Sequence, residues 1–132
     1  MRRKFGNKIT YIGDIKFDSK SEANYYLILL ERQRRGEISN LRRQVPYELM
    51  PKITEEKEEI KHLKTKDKII RKQVTVQSAV RYIADFVYVT NNTGKEHVVD
   101  VKGDTAPLTK EFLLKQKMMR YLLGITVEIV RM

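Results

Sequence analysis

Apolar and polar residues alternate in two short runs, Ile9-Thr10-Tyr11-Ile12 and Ile15-Lys16-Phe17, with Gly13-Asp14 between them. Alternation around a Gly-Asp pair predicts a β-hairpin. The period then changes. From Ser19 onward, Ala23, Tyr26, Leu27 and Leu30 recur at helical spacing, which predicts a helix with these residues as its buried stripe. Ser19, with Glu22 three residues on, forms a capping box at its start. Gly36 closes the helix after a polar stretch from Glu31 to Arg35. Leu41 to Met50 reads as a strand, and Pro46 gives it an edge position or a bulge.

Residues 52–79 are different in kind. Thr54-Glu55-Glu56-Lys57-Glu58-Glu59 and the lysines up to Lys72 leave little apolar content, so this stretch reads as an insertion. Exposed helix and long hairpin arm are both open, with Ile69 to Val76 extended. Beyond it, Val80 to Thr90 and Lys95 to Lys102 are rich in β-branched and aromatic residues, which predicts two strands. Asn91-Asn92-Thr93-Gly94 joins them as a hairpin turn. After a loop through Pro107, a second helix is expected from Leu108 or Thr109 to Leu123. Phe112, Gln116, Met119 and Leu123 lie along one face, and Gly124 is the cap. Ile125 to Val130 alternates as a final strand. The order is a hairpin followed by α-β-β-β-α-β, without internal repeat. A chain of 132 residues fits one α/β domain, residues 1–132.

Charge adds a partner to this picture. The 27 Lys and Arg against 17 Asp and Glu give +10, and the excess is spread along the chain. Such a balance fits a polyanion, nucleic acid first. The plainer reading is a soluble protein that is incidentally basic. A membrane partner is not expected, because no basic amphipathic helix carries aromatic anchors and no apolar run nears the roughly 20 residues of a span. Met1-Arg2-Arg3-Lys4-Phe5-Gly6 is followed by no apolar stretch, so no signal peptide is expected and a cytosolic location follows by default. With no cysteine and only His62 and His97, thiolate and zinc chemistry are disfavoured.

The candidate chemistry sits on the two central strands. Successive side chains of a strand point to opposite faces, so Asp100 and Lys102 share one face and Val99 and Val101 the other. By the same parity, Asp85 shares its face with Ile83 and Val87. If the turn is a two-residue loop at Asn92-Thr93, residues whose numbers sum to 185 pair and Asp85 lies across from Asp100; a longer loop or a bulge sets them diagonally, still within reach. Facing carboxylates inside apolar strands repel, and burial adds a desolvation cost. A divalent cation reverses that balance, because hard cations take converging carboxylate oxygens. Lys102 adds a charge that can orient a water or stabilise a phosphate oxygen. Plainer readings are also open: Asp85 as an edge residue or a partner of Arg81, and Asp100 and Lys102 as a solvated face.

Ile83-Ala84-Asp85-Phe86, followed by Val98-Val99-Asp100-Val101-Lys102-Gly103, resembles the PD-(D/E)XK motif of restriction-endonuclease-like nucleases. Phe17-Asp18-Ser19-Lys20-Ser21-Glu22-Ala23, Gly36-Glu37-Ile38 and Gln44-Val45-Pro46-Tyr47-Glu48-Leu49 resemble one small phage-encoded branch of that superfamily. The likeness covers nearly the whole chain apart from about 52–76, and Ala84 stands where the nominal motif has proline. It implies a restriction-endonuclease-like α-β-β-β-α-β core, a mixed sheet flanked by helices. It implies metal binding by Asp85 and Asp100, Mg²⁺ or Mn²⁺ as cofactor, and a catalytic Lys102. In similar Holliday-junction resolvases a glutamate on the first helix completes the metal site, which nominates Glu22. Its other role is the cap for Ser19.

The function implied is a Mg²⁺-dependent endodeoxyribonuclease acting on branched or double-stranded DNA in phage recombination, as a homodimer, in the cytoplasm of a bacterial host. Gln44, Arg42, Arg43, Lys110, Lys115, Lys117 and Gln116 are secondary candidates for DNA contacts. Gln116 lies on an inward stripe, where a polar group needs either a phosphate or a backbone partner. Two other functions stay open: a non-catalytic DNA-binding or packaging accessory of the same fold, and an interaction protein whose charge is incidental.

Overall fold

Gly13, at φ +59°, turns strand β1 (Thr10–Ile12) back on β2 (Ile15–Phe17), the expected hairpin. The structure, a computed structural model, describes residues 8–132; the basic stretch Met1 to Gly6 lies outside the described residues. Helix α1 (Lys20–Arg34) follows, and the Ser19 hydroxyl accepts from the Glu22 N–H at 3.1 Å. At its other end Gly36 takes φ +78°, and the N–H groups of Gly36 and Glu37 donate to the carbonyls of Gln33 and Arg32. These two bonds are the Schellman pattern, which a residue with a Cβ enters only under strain.

The buried stripe of α1 differs from the expected one. Leu29 is fully buried, whereas Leu27 is exposed. The cause is aromatic: the Tyr26 ring stacks on Phe86 with centroids 6.0 Å apart and meets Phe17 at 5.1 Å. Seating Tyr26 there aligns Glu22, Tyr26 and Leu29, spaced four and three residues apart, on the inner face and turns Leu27 outward.

The central sheet has the order β3-β6-β7-β8, with β3 (Ile38–Met50), β6 (Val80–Thr90), β7 (Glu96–Lys102) and β8 (Glu128–Arg131). β7 and β8 are parallel and the other neighbours antiparallel, so the sheet is mixed. Pro46 lies in β3, an edge strand, as its missing N–H requires. Bulges interrupt β3 on either side of it, between Ser39 and Arg42 and between Glu48 and Met50.

Adjacent residues of β7 face different cores. Val99 packs with Phe17, Ala23, Leu29 and Phe86 on the α1 side. Val98 packs with Tyr82, Phe112 and Met119, the last two from α2 (Lys110–Leu123). Thr109 caps α2, and Gly124, at φ +67°, ends it. Phe112, Gln116 and Met119 are its buried face, but Leu123 is exposed, because the helix has already turned into its cap. The last strand starts at Glu128, later than expected.

The charged insertion is a hairpin arm. β4 (Ile53–His62) and β5 (Asp67–Gln77) form an antiparallel sheet of their own. The hairpin alternative is therefore the one realised. With the arm set aside, the element order is the expected hairpin and α-β-β-β-α-β. No helix among the described residues is long and apolar enough to cross a membrane.

Candidate active site

The β6–β7 hairpin has the expected register. Phe86↔Val99, Val87↔Val98, Tyr88↔His97 and Val89↔Glu96 all sum to 185. The turn spans Asn91 to Gly94, the longer of the two loops left open, and is closed by the Thr90 N–H to the Lys95 carbonyl at 2.9 Å. Backbone pairing stops after Phe86↔Val99, one step before the two aspartates.

That break has a visible cause. The Thr90–Lys95 bond fixes which pairs exchange hydrogen bonds, and alternation assigns the Val101 N–H to the Ala84 carbonyl. Instead, Asp85 Oδ2 accepts it at 2.8 Å. The carboxylate thus replaces a rung of the ladder. Side-chain alternation breaks at the same point: Ala84 belongs to the α2-side core and Phe86 to the α1-side core. Asp85 therefore does not simply share a face with Ile83 and Val87, since Ile83 is exposed and Val87 fully buried.

Asp100 is only 6 % exposed, which removes the solvated-face reading. Its Oδ2 accepts from the Tyr82 hydroxyl at 2.6 Å, and its Oδ1 lies 3.1 Å from Lys102 Nζ. The Lys102 ammonium also sits 4.1 Å from the Phe112 ring centroid, a cation–π placement that aims it. Glu22 is buried as well, and its Oε1 accepts from Gln44 Nε2 at 2.8 Å. Only the Ser19 half of the capping box forms, and the Glu22 carboxylate turns toward the sheet. Gln44 reaches it from a backbone at φ +50°, between the pairs Arg43↔Phe86 and Val45↔Ala84.

Glu22, Asp85, Asp100 and Lys102 line one cavity of about 220 Å³, together with Asp18, Ser19, Thr109 and the Gly103–Pro107 loop. The four principal candidates meet in space, with Gln44 behind them. Other candidates do not line this cavity. Arg43 is a packing residue: its guanidinium lies 4.3 Å from the Phe17 ring centroid and donates to the Lys16 carbonyl at 3.1 Å. It also lies 4.0 Å from the Glu22 carboxylate. Arg42 pairs with Glu96 at 3.1 Å, and Lys115 with Glu111 at 3.0 Å beside Arg81 in a separate cleft. Lys110 and Lys117 are exposed on α2. Gln116 is buried, and its Nε2 has no hydrogen-bond partner.

The family model described as "Protein of unknown function (DUF1064)" matches residues 2–127. The chain belongs to this family. No curated protein and no solved structure matches it.

In this DUF1064 protein the crowding of carboxylates has an electrostatic signature. The Asp85 carboxyl is pushed up to about 8, first by burial, then by the charges of Asp100 and Glu22. The Val101 N–H and Lys102 only partly offset this. Glu22 is raised by burial and then by Asp18, against the pull of Gln44 and Arg43. Burial and then the charge of Asp100 push the Tyr82 phenol upward, so it stays a neutral donor. The site lacks positive charge for the acids it holds.

A hard divalent cation fits that deficit in charge and in donor type, because the donors are carboxylate oxygens. Among the described residues no three acidic or histidine side chains form a ready-made cage. Mg²⁺ commonly uses one or two carboxylates and takes its remaining ligands from water and substrate phosphates. Two residues here escaped the sequence reading, Asp18 and Tyr82. Asp18 stood inside the quoted Phe17-Asp18-Ser19 run, while Tyr82 offered no signal beyond an aromatic strand position.

Proposed function

We propose that this protein is a Mg²⁺-dependent endodeoxyribonuclease with a restriction-endonuclease-like core. Branched or double-stranded DNA is its substrate, as in phage recombination within a bacterial cytoplasm. The observation that carries the reading is the convergence of Asp85, Asp100, Lys102 and Glu22 on one polar cavity. Asp85 and Asp100, with Glu22 beside them, would hold Mg²⁺, which when bound polarises a phosphoryl oxygen and makes water a better nucleophile. The protein's own groups do the rest. Tyr82 fixes the orientation of Asp100, and the Val101 N–H fixes Asp85. Lys102, steadied over Phe112, offers its ammonium to the charge that grows on the phosphate oxygens. A homodimer would present two such cavities to the two strands of a junction.

The deciding experiment is cleavage of labelled linear, nicked and four-way-junction DNA in Mg²⁺, Mn²⁺ or EDTA. The expected result is cleavage that needs the metal and disappears in Asp100→Ala and in Lys102→Ala. Cleavage that persists in EDTA or in the double variant overturns the mechanism. So does a folded protein that cuts none of the three substrates. A second reading, a DNA-binding accessory without cleavage, is favoured by the Asp100–Lys102 ion pair, which balances one acid without a cation. It expects DNA binding unchanged by Asp100→Ala and no cleavage under any condition.

A further inference from the structure

The β4–β5 arm belongs to neither core, and every residue of β4 is exposed. A two-stranded hairpin alone in water is marginal, so the composition of its faces shows what it is suited to meet. Cross-strand partners share a face, and successive pairs alternate between the two. Lys57 lies directly opposite Lys72, and Lys61 directly opposite Lys68, with only Glu59↔Ile70 between them on that face. Like charges placed directly across a strand pair repel. Here the arrangement occurs twice on one side of an arm that has no core to hold it together.

The compensation inside the protein is small. Glu59 pairs with Lys72 at 2.5 Å, while Lys57, Lys61 and Lys68 make no ion pair among the described residues. Lys64 and Lys66 extend the cationic surface to the tip, where the Leu63 N–H bonds the Lys66 carbonyl. The opposite face has the other sign, with Glu56, Glu58 and Asp67 against Arg71. The lysine pairs are four residues apart along each strand, about 13 Å at strand rise. That matches roughly four base-pair steps of a duplex.

We infer that the lysine face of the β4–β5 arm docks on the phosphate backbone of duplex DNA. Repulsion that costs stability in the free arm becomes attraction once a polyanion lies along it. The inference rests on DNA being the ligand, as proposed above, and not on hydrolysis, so binding is measured in EDTA. The full-length protein and a variant with Lys57, Lys61, Lys68 and Lys72 all changed to Gln are titrated onto a 40-base-pair duplex at several salt concentrations.

The expected result is a plot of log affinity against log salt that is shallower by about 3 to 4 units in the variant. The matching fourfold Lys→Arg variant keeps the original slope. The Arg variant should melt as the parent does and the Gln variant no lower, since only exposed side chains change and the Gln variant loses the paired repulsion. An unchanged slope in the Gln variant overturns the inference, and so does an equal loss in the Arg variant. Sedimentation velocity covers the rival occupant, a second copy of the chain. If the Gln substitutions alter the oligomeric state and leave DNA binding intact, the arm is a self-association surface and the inference falls. A parent that shows this salt-dependent binding but cuts no DNA in Mg²⁺ would count against the nuclease reading alone.

Discussion

A buried carboxylate beside two other acids is costly when ionised, and Asp85 is such a group, although the Val101 N–H that it accepts lowers that cost. Its pKa rises from the ordinary 3.8 to about 8 in the folded, metal-free protein. The folded state then holds the proton more tightly than the unfolded state does. Stability from this group is therefore present below about pH 4 and is lost as pH rises toward 8. Asp85→Asn keeps an oxygen for the Val101 N–H and removes the charge. In EDTA at pH 8 it should melt several degrees higher than the parent, with the gap narrowing at pH 5. Thermal melts at the two pH values check this, and destabilisation at pH 8 would contradict it. Mg²⁺ should raise the melting temperature of the parent more than that of the variant. Strand parity was enough to unite Asp100 with Lys102, and turn composition was enough to bring Asp85 to them. Asp18 and Tyr82 were not legible, because their roles depend on how α1 and β6 approach the cavity in space. Gln44 was nominated for DNA contact, but its hydrogen bond to Glu22 was not legible, since a φ of +50° cannot be read from a glutamine.

The secondary elements were legible where a period was clean. β6, β7 and α2 lie close to their expected bounds; the cap Gly124 was in the sequence pattern, and Thr109, expected as a possible start of the helix, is its N-cap. α1 was located and Ala23 and Tyr26 were turned inward, but Leu27 was expected where Leu29 is buried, because only Tyr26 stacking on Phe86 decides between the two leucines. The arm was ambiguous for a different reason. Its glutamates and lysines satisfy helix and hairpin equally, and it has no buried side to impose a period. This independence has a consequence for stability. Replacing residues 53–77 by a short Gly-Asn turn between β3 and β6 should leave a cooperatively folding core, melting within a few degrees of the parent. Urea denaturation tests it: a broad, non-cooperative transition would show that the arm braces the sheet after all. The excised protein should also bind DNA with a weaker salt dependence.

The architecture of the whole molecule was least visible from sequence, because strand order is a long-range property. No local pattern announces that β8 lies parallel to β7, or that Asp100↔Ile129 and Lys102↔Arg131 stand side by side. The Met132 N–H donates to the Lys102 carbonyl at 3.0 Å, so the last residues seat the strand that carries Asp100 and Lys102. Removing Glu128 to Met132 should lower the melting temperature by at least about 10 °C or abolish cooperative unfolding, because β7 becomes an unpaired edge. A truncated protein that melts like the parent would show that β8 is dispensable. The arm and the cavity together carry one more consequence. Between them, Glu22 and Gln44 precede the arm in the chain, and Asp85, Asp100 and Lys102 follow it. The exposed tip around Leu63 to Lys66 is a permissive place to break the backbone. Two fragments divided there would each carry an incomplete set of acids, and neither could assemble the cavity alone. Complementation of the halves, through β3 finding β6, would then act as an on-switch, turning the proposed activity into a sensor for whatever brings the fragments together.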